Sequence, residues 1–244
     1  MEFSAASDPG RVRTRNEDSF ALLPFSTGVL LAVADGVGGS QAGEVASAIA
    51  TRTFRETMTP HQRETPEPMP LHQALELANE RILQARQESS RQAGMGTTMT
   101  CAWLSEDRLA YAHVGDSRLY LLRGGELNCV THDHSVAQEL VRQGSIPPAD
   151  AERHPQRHVL TRWLGFEPFA CDEGTLDLEP GDVVLLCTDG LVSALAEGEI
   201  ARELQDGFAG VALRLVEAAN RAGGPDNITV VAARTAQAGG SEQQ

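Results

Sequence analysis

Apolar residues along this chain fall into two kinds of block, strand-length runs and longer stripes with helical spacing. The densest run, Val29-Leu30-Leu31-Ala32-Val33-Ala34, stops abruptly at Asp35-Gly36-Val37-Gly38-Gly39. That pattern predicts a strand buried on both faces whose tip carries a carboxylate, followed by a glycine loop where backbone can approach something charged. From Gly43 the pattern turns helical. Residues 44–57 place Val45, Ala46, Ile49 and Ala50 on one side, and residues 71–91 carry a stripe of Leu75, Ala78, Ile82 and Ala85. Pro60, Pro66, Pro68 and Pro70 mark an exposed connection, and the two helices are expected to form one layer over a sheet.

Before the dense run, Ser4 to Asp8 reads as a short strand, Asp8-Pro9-Gly10 as a turn and Phe20 to Leu23 as a second strand. The middle of the chain changes period. Runs at Thr97–Leu104, Leu109–Val114, Leu119–Leu122 and Leu127–Thr131 are separated by Ser105-Glu106-Asp107, Gly115-Asp116-Ser117 and Gly124-Gly125, which predicts an antiparallel meander with Gly115-Asp116 as a hairpin turn. Gly94, Gly96, Thr97 and Thr98 suggest backbone packed closely against a neighbour. A helix is expected over Val136–Gln143, and residues 144–158, rich in Pro, Asp and Arg, read as an exposed flap. The last third repeats the opening: the strand Val183–Thr188 ends in Asp189-Gly190, a short helix covers Leu191–Leu195, and Val211, Leu215, Ala218 and Ala222 form a helical stripe. Gly223-Gly224-Pro225 then leads through Asp226-Asn227 into the strand Ile228–Ala233. A single domain over residues 1–235 and a disordered polar tail at 236–244 complete the expectation.

The 244 residues suit one large domain or at most two small ones. A formal charge of -14 argues against nucleic acid as a partner, since phosphate backbones are held by clustered positive charge. Nothing is long enough to span a membrane, and Met1-Glu2-Phe3-Ser4 lacks the basic and apolar regions of a signal peptide, so a cytoplasmic protein is expected. Cys101, Cys129, Cys171 and Cys187 are widely spaced and read as buried thiols rather than a disulfide framework or zinc site. His132, His134, His154 and His158 flank the flap; neutral or solvent-facing loop histidines are the commoner case than zinc ligands.

All 20 basic residues are arginine. The missing lysine excludes a P-loop, a kinase-type ATP lysine and a Schiff base, and Gln41 breaks the spacing of a dinucleotide fingerprint. The segment from Arg11 to Ser19 sets Arg11, Arg13 and Arg15 beside Glu17 and Asp18. Charge clusters are most often solvated turns, yet a guanidinium fork next to an acidic loop also suits phosphate oxygens. Asp-Gly pairs are weak signals singly. Together, Asp18, Asp35, Asp116, Asp189 and Asp226 all stand at strand ends, where stacked sheets could gather them, and such a cluster needs hard divalent cations to neutralise it.

On these motifs the chain resembles the metal-dependent protein serine/threonine phosphatases of the PPM or type 2C family, in their compact bacterial form. The likeness runs in order through Arg13–Asp18, Val33–Gly39, Gly96-Thr97-Thr98, Val114–Arg118, Thr131–Ser135, Leu160–Gly165, Thr188-Asp189-Gly190 and Asp226-Asn227. It implies an α+β fold, a four-layer α-β-β-α sandwich of two antiparallel sheets flanked by helices. It implies two or three Mn2+ or Mg2+ ions: Asp35 bridging two, the Gly36 carbonyl on one, Asp189 and Asp226 on the other, Glu17 and Asp18 holding metal-bound waters, and Asp116 helping to bind a third. Arg13 would grip the substrate phosphate, and a metal-bridging hydroxide would attack phosphorus directly. The partners implied are proteins phosphorylated on serine or threonine by a bacterial kinase, met by a monomer. Val37 stands where some members carry a histidine that could act as general acid, so leaving-group protonation has no assigned residue. A pseudophosphatase that binds phosphoproteins without turnover is the alternative, opposed by the presence of every matched metal position. A two-metal nuclease is opposed by the acidic charge.

Overall fold

The computed structural model describes residues 1–37, 42–64, 71–88, 94–151 and 153–236. In chain order its elements begin with β1 (Glu2–Asp8), β2 (Asp18–Phe25), β3 (Gly28–Val37), α1 (Ala42–Glu64) and α2 (Leu71–Glu88). The middle holds β4 (Gly96–Thr97), β5 (Met99–Leu104), β6 (Arg108–Val114), β7 (Arg118–Arg123), β8 (Glu126–Cys129), α3 (Val136–Arg142) and α4 (Pro148–Ala151). The last third holds β9 (Asp172–Asp177), β10 (Val183–Cys187), α5 (Asp189–Ala194), α6 (Glu197–Gln205), α7 (Val211–Arg221) and β11 (Ile228–Arg234).

One sheet runs β1-β11-β10-β7-β8 and the other β2-β3-β5-β6-β9, with β4 paired to the end of β3; every pairing is antiparallel. Strand alternation sorts the side chains into layers. In β3, Leu30 and Ala32 pack under Phe54, Leu75 and Ile82 of α1 and α2, whereas Val29, Leu31 and Val33 meet Val184, Leu186 and Val231 of the opposite sheet. In β10 and β11, Leu185, Cys187, Val230 and Ala232 face Leu191, Ile200, Leu204, Leu215 and Ala219 of α5, α6 and α7. The result is helices, sheet, sheet, helices, the four-layer α+β sandwich expected. No helix among the described residues is long and apolar enough to cross a membrane.

The middle strands depart from expectation. They do not form one meander: β5 and β6 lie in one sheet, β7 and β8 in the other, so Gly115-Asp116-Ser117 is a crossover between sheets rather than a hairpin turn. Gly115 takes φ 109°, a left-handed angle natural to glycine, and a β-carbon there would lie 2.5 Å from the Thr98 side chain. The run expected over Thr97–Leu104 is split at Thr98, whose backbone N–H donates to the Asp35 carbonyl (2.9 Å) while its hydroxyl accepts from the Asp35 N–H (3.0 Å). Asp35 lies two residues inside β3 rather than at its tip, because Gly36 and Val37 continue into pairing with β4. Helix α1 runs past Pro60, since losing one backbone donor does not end a helix already packed along its earlier turns. The expected connection at Pro66–Pro70, the last turn after Glu88, Gly38, Gly39 and the tail from 237 lie outside the described residues. Strand β9 and helix α6 had no counterpart in the sequence reading. The flap contains the short helix α4, and the segment that follows it is tied to the body by isolated bridges, Ser135 to Leu160 and Thr97 to Leu164.

Candidate metal centre

The strand phases that build the apolar seam also aim acids into its end. Asp35 continues the series Val29, Leu31, Val33, and Asp18 continues Leu22, Phe20 of β2, so both carboxylates extend the inter-sheet layer. In the register of β2 and β3 they stand directly opposite one another. From the other sheet, Thr188 at the end of β10 donates its hydroxyl to Asp18 Oδ2 (2.8 Å) and accepts from the Thr229 N–H (3.0 Å). Asp18 Oδ1 and Asp189 Oδ1 are shut off from solvent with no hydrogen-bond partner.

Asp189 opens α5, which is seated on the Asp226-Asn227 loop so closely that a β-carbon on Gly190 would lie 2.0 Å from the Asn227 carbonyl oxygen. Asn227 organises the opposite wall. Its Oδ1 accepts from the Glu17 N–H (2.8 Å), and its Nδ2 donates to the carbonyls of Arg15 (2.7 Å) and Pro9 (2.9 Å), which fixes the loop bearing Arg13 and Glu17. The Gly36 N–H donates to the Glu17 carbonyl (3.2 Å). Arg13 Nη2 lies 2.8 Å from Asp226 Oδ2, both side chains partly exposed.

These elements enclose a cleft of about 950 Å³ lined by Arg13, Glu17, Asp35, Gly36, Asp116, Asp189 and Asp226; Asp18 stands behind Asp35 rather than in the wall. Arg13, Gly36 and the six acids singled out in sequence are thus gathered at one end of the seam. Burial pushes the Asp35 carboxyl well above its ordinary range, and Asp18, Asp189, Asp116 and Asp226 push it further. Asp18 is raised to about 7 by burial, against the pull of its Thr229 and Thr188 hydrogen bonds and with the push of Asp189 and Asp226. Asp116 is raised well above the carboxylate range by burial, then by Asp189 and Asp133. Glu17 is raised by burial. The Arg13 guanidinium is raised by its bond to Asp226. A site in which buried carboxylates hold their protons this firmly lacks compensating positive charge, and orphaned oxygens of Asp18 and Asp189 have capacity to spare. Hard oxygen donors in that number fit divalent ions such as Mn2+ or Mg2+.

The histidines divide. His134 is buried, not solvent-facing: its Nδ1 accepts from the Gly115 N–H (3.1 Å), its Nε2 lies 3.2 Å from Asp172, and its ring packs 4.7 Å from that of buried His113, so it braces the crossover carrying Asp116. His158, from the flap, reaches the cleft with Nδ1 3.6 Å from Asp189 Oδ2. Neither role was visible in sequence, nor were the positioning roles of Thr98, Thr188 and Asn227. The nearest signal was the polar neighbour beside two of the acids, Thr188 before Asp189 and Asn227 after Asp226; Asp35 stands between Ala34 and Gly36, and Thr98 is distant from it in sequence.

Residues 11–222 match the model of the family Protein phosphatase 2C. Protein phosphatase PhpP of Streptococcus pneumoniae is 37% identical over 237 residues, 94% of this chain and 96% of that protein. The crystal structure of the Mycobacterium tuberculosis serine/threonine phosphatase PstP/Ppp superposes with a TM-score of 0.86 at 36% identity, over 97% of this chain and 99% of that one. The catalytic domain of PstP in complex with two manganese ions superposes with a TM-score of 0.83 at 36% identity, over 96% and 98%.

Proposed function

This chain belongs to the protein phosphatase 2C family and is a serine/threonine protein phosphatase, and from that premise we propose that it hydrolyses phosphoserine and phosphothreonine in proteins at a centre of two or three Mn2+ or Mg2+ ions. One observation carries the reading of the site: acids from four separate chain segments, Asp35, Asp116, Asp189 and Asp226, meet at one cleft with an arginine on its rim, and Asp18 stands directly opposite Asp35 on the neighbouring strand. In this reading Asp35, the Gly36 carbonyl, Asp189 and Asp226 would hold two ions, Asp116 would help to hold a third, and Glu17 and Asp18 would accept hydrogen bonds from waters carried by the ions. When bound, the ions supply a low-pKa water and neutralise charge on the phosphoryl group.

The chain's own contribution is placement. Arg13 presents a planar fork to the phosphate oxygens once it exchanges Asp226 for substrate. The Asn227 amide keeps Arg13 and Glu17 on the same wall, and Thr188 and Thr98 fix Asp18 and Asp35 in depth. Val37 offers no proton to a leaving group, so that proton comes from water rather than from this position. Residues 1–235 act as one catalytic unit with the flap at 144–158 beside the cleft, and the substrates are phosphoproteins made by a bacterial serine/threonine kinase and met by a monomer.

The test is phosphate release from a phosphothreonine peptide in manganese and then in excess chelator, for the natural chain and Asp189→Ala. Turnover that requires manganese and disappears in the variant is the expected result. A well-folded chain that releases no phosphate in manganese, or in magnesium put in its place, would replace this reading with a phosphoprotein-binding one.

A further inference from the structure

We propose that Trp163 and Phe166 form an aromatic subsite that takes an apolar side chain of the phosphoprotein about three residues from its phosphoserine or phosphothreonine. The inference rests on reading the cleft as the place where the phosphorylated residue is held, and deepens that reading by assigning a flanking contact.

The segment that leaves the flap runs from the cleft to an exposed aromatic pair. Leu160 lines the cleft, and shortly after it the Trp163 ring stacks against that of Phe166 with centroids 4.5 Å apart. Phe166 is 40% exposed and Val159, at the start of the segment, 47%, so two of the large apolar side chains that the described residues leave in solvent belong to these few positions. Trp163 is partly exposed, and its indole N–H has no hydrogen-bond partner among the described residues. An apolar ring face beside a free donor suits a peptide, whose apolar side chains need cover and whose carbonyls need a donor.

The distance to the cleft follows from the strand register. Val37 lines the cleft and pairs with Gly96. The indole lies on Gly96, where a β-carbon would come within 2.4 Å of its Cδ1 atom. Paired strand residues stand about 5 Å apart and a ring in contact adds about 4 Å, so the subsite begins roughly 10 Å from the Val37 wall. Extended peptide rises about 3.3 Å per residue, which makes that span about three residues. The platform is also held in place before a ligand arrives. Leu164 exchanges both backbone hydrogen bonds with Thr97 (3.1 and 2.8 Å), the Gly165 N–H donates to Asn79 Oδ1 (2.6 Å), and the Gly165 carbonyl accepts from Arg86. Arg162 is bonded to Asp172 at 2.7 Å, so the positive charge within the segment is already matched. A clamped aromatic pair gives up little freedom on binding, which favours it as a contact surface.

The experiment uses the full chain and short peptides with a central phosphothreonine among serines, one with serine throughout and the others with a single phenylalanine two, three or four residues to either side. In manganese, kcat/KM for phosphate release is expected to be about tenfold higher for a phenylalanine peptide than for the all-serine one, mainly through KM. Phe166→Ser should cut that preference to about twofold or less, and Trp163→Phe, which keeps an aromatic face, should retain most of it. In chelator, with turnover arrested, the preferred peptide at millimolar concentration should shift tryptophan emission to the blue. Trp103, the other tryptophan, is buried, so the shift should vanish in Trp163→Phe. Equal kcat/KM across the peptides with no emission shift would overturn the inference and leave the phosphatase reading intact. An emission shift without phosphate release in manganese would leave the subsite and remove the phosphatase reading. A dimer in size-exclusion chromatography that Phe166→Ser dissolves would assign the face to a second copy of the chain and overturn the inference.

Discussion

Asp18→Asn should stabilise the metal-free protein at neutral and alkaline pH, although Asp18 belongs to the site. Its carboxyl is raised to about 7 in the fold against an ordinary 3.8, with Oδ1 orphaned and the acids Asp189 and Asp226 close by. A carboxyl that holds its proton more tightly when folded contributes stability that is fully present below the unfolded value and lost as pH rises through the folded one. The gap of about three pH units is worth roughly 4 kcal/mol once both states are ionised. Linkage over the two values puts roughly 2 to 3 kcal/mol of that loss between about pH 5 and about pH 8. Asparagine keeps an acceptor for the Thr188 hydroxyl and cannot ionise. Thermal melts in chelator should therefore show the variant about 5–10 °C above the natural protein near pH 8. The advantage should shrink near pH 5 and vanish in saturating manganese. A variant that melts lower near pH 8, or one whose advantage is the same at both pH values, would refute the claim that buried, unneutralised charge is what the metal-free fold carries here.

Arg13→Ala should raise KM for a phosphopeptide with a smaller change in kcat if the guanidinium holds the substrate phosphate as proposed; unchanged kinetics would return Arg13 to the solvated charges. Gly190→Ala forces a β-carbon to 2.0 Å from the Asn227 carbonyl, so α5 or its supporting loop must shift. About 1–3 kcal/mol of stability should be lost and manganese affinity with it, and an unchanged melting temperature would show that the contact is slack. Asp182→Ala, at the far end of the sheet, removes a buried carboxylate gripped by Arg123 at 2.6 and 3.0 Å and should cost about 3 kcal/mol in denaturant melts while manganese affinity stays as it was. Ala at Asp35 or Asp226 should abolish turnover in the phosphopeptide assay, and residual activity in either would move the centre elsewhere.

The acids and the strands bearing them were legible because β3, β10 and β11 are buried on both faces and read as unbroken apolar runs. Strand β9 was not, since Asp172-Glu173-Gly174-Thr175-Leu176-Asp177 lies at a sheet edge and alternates half-buried with exposed residues. Helix α6 escaped for a similar reason, burying Ile200 and Leu204 within an otherwise largely charged and polar helix of about two and a half turns. Which sheet a strand joins is a tertiary decision, and nothing local to Gly115-Asp116-Ser117 distinguishes a crossover from a hairpin. The acids of the cleft could be gathered on paper because each stands at or near the end of a strand. His158 could not, because its position depends on how the flap folds back over residues far from it in sequence.

Strand β1 is paired along its whole length with β11 alone. During synthesis the first strand must therefore wait for the last, on the order of ten seconds or more at ordinary elongation rates, with its backbone donors and acceptors unmatched. Asp226 and Asn227 emerge just ahead of β11, and Asn227 is what clamps the loop of Arg13 and Glu17. A nascent chain thus cannot assemble the reactive centre while still tethered at mid-length. With Asp226 in its proposed role, hydrolytic competence arrives together with the closing strand, so a ribosome stalled anywhere before residue 226 is expected to release a product that is inert toward phosphoproteins rather than a partly active one.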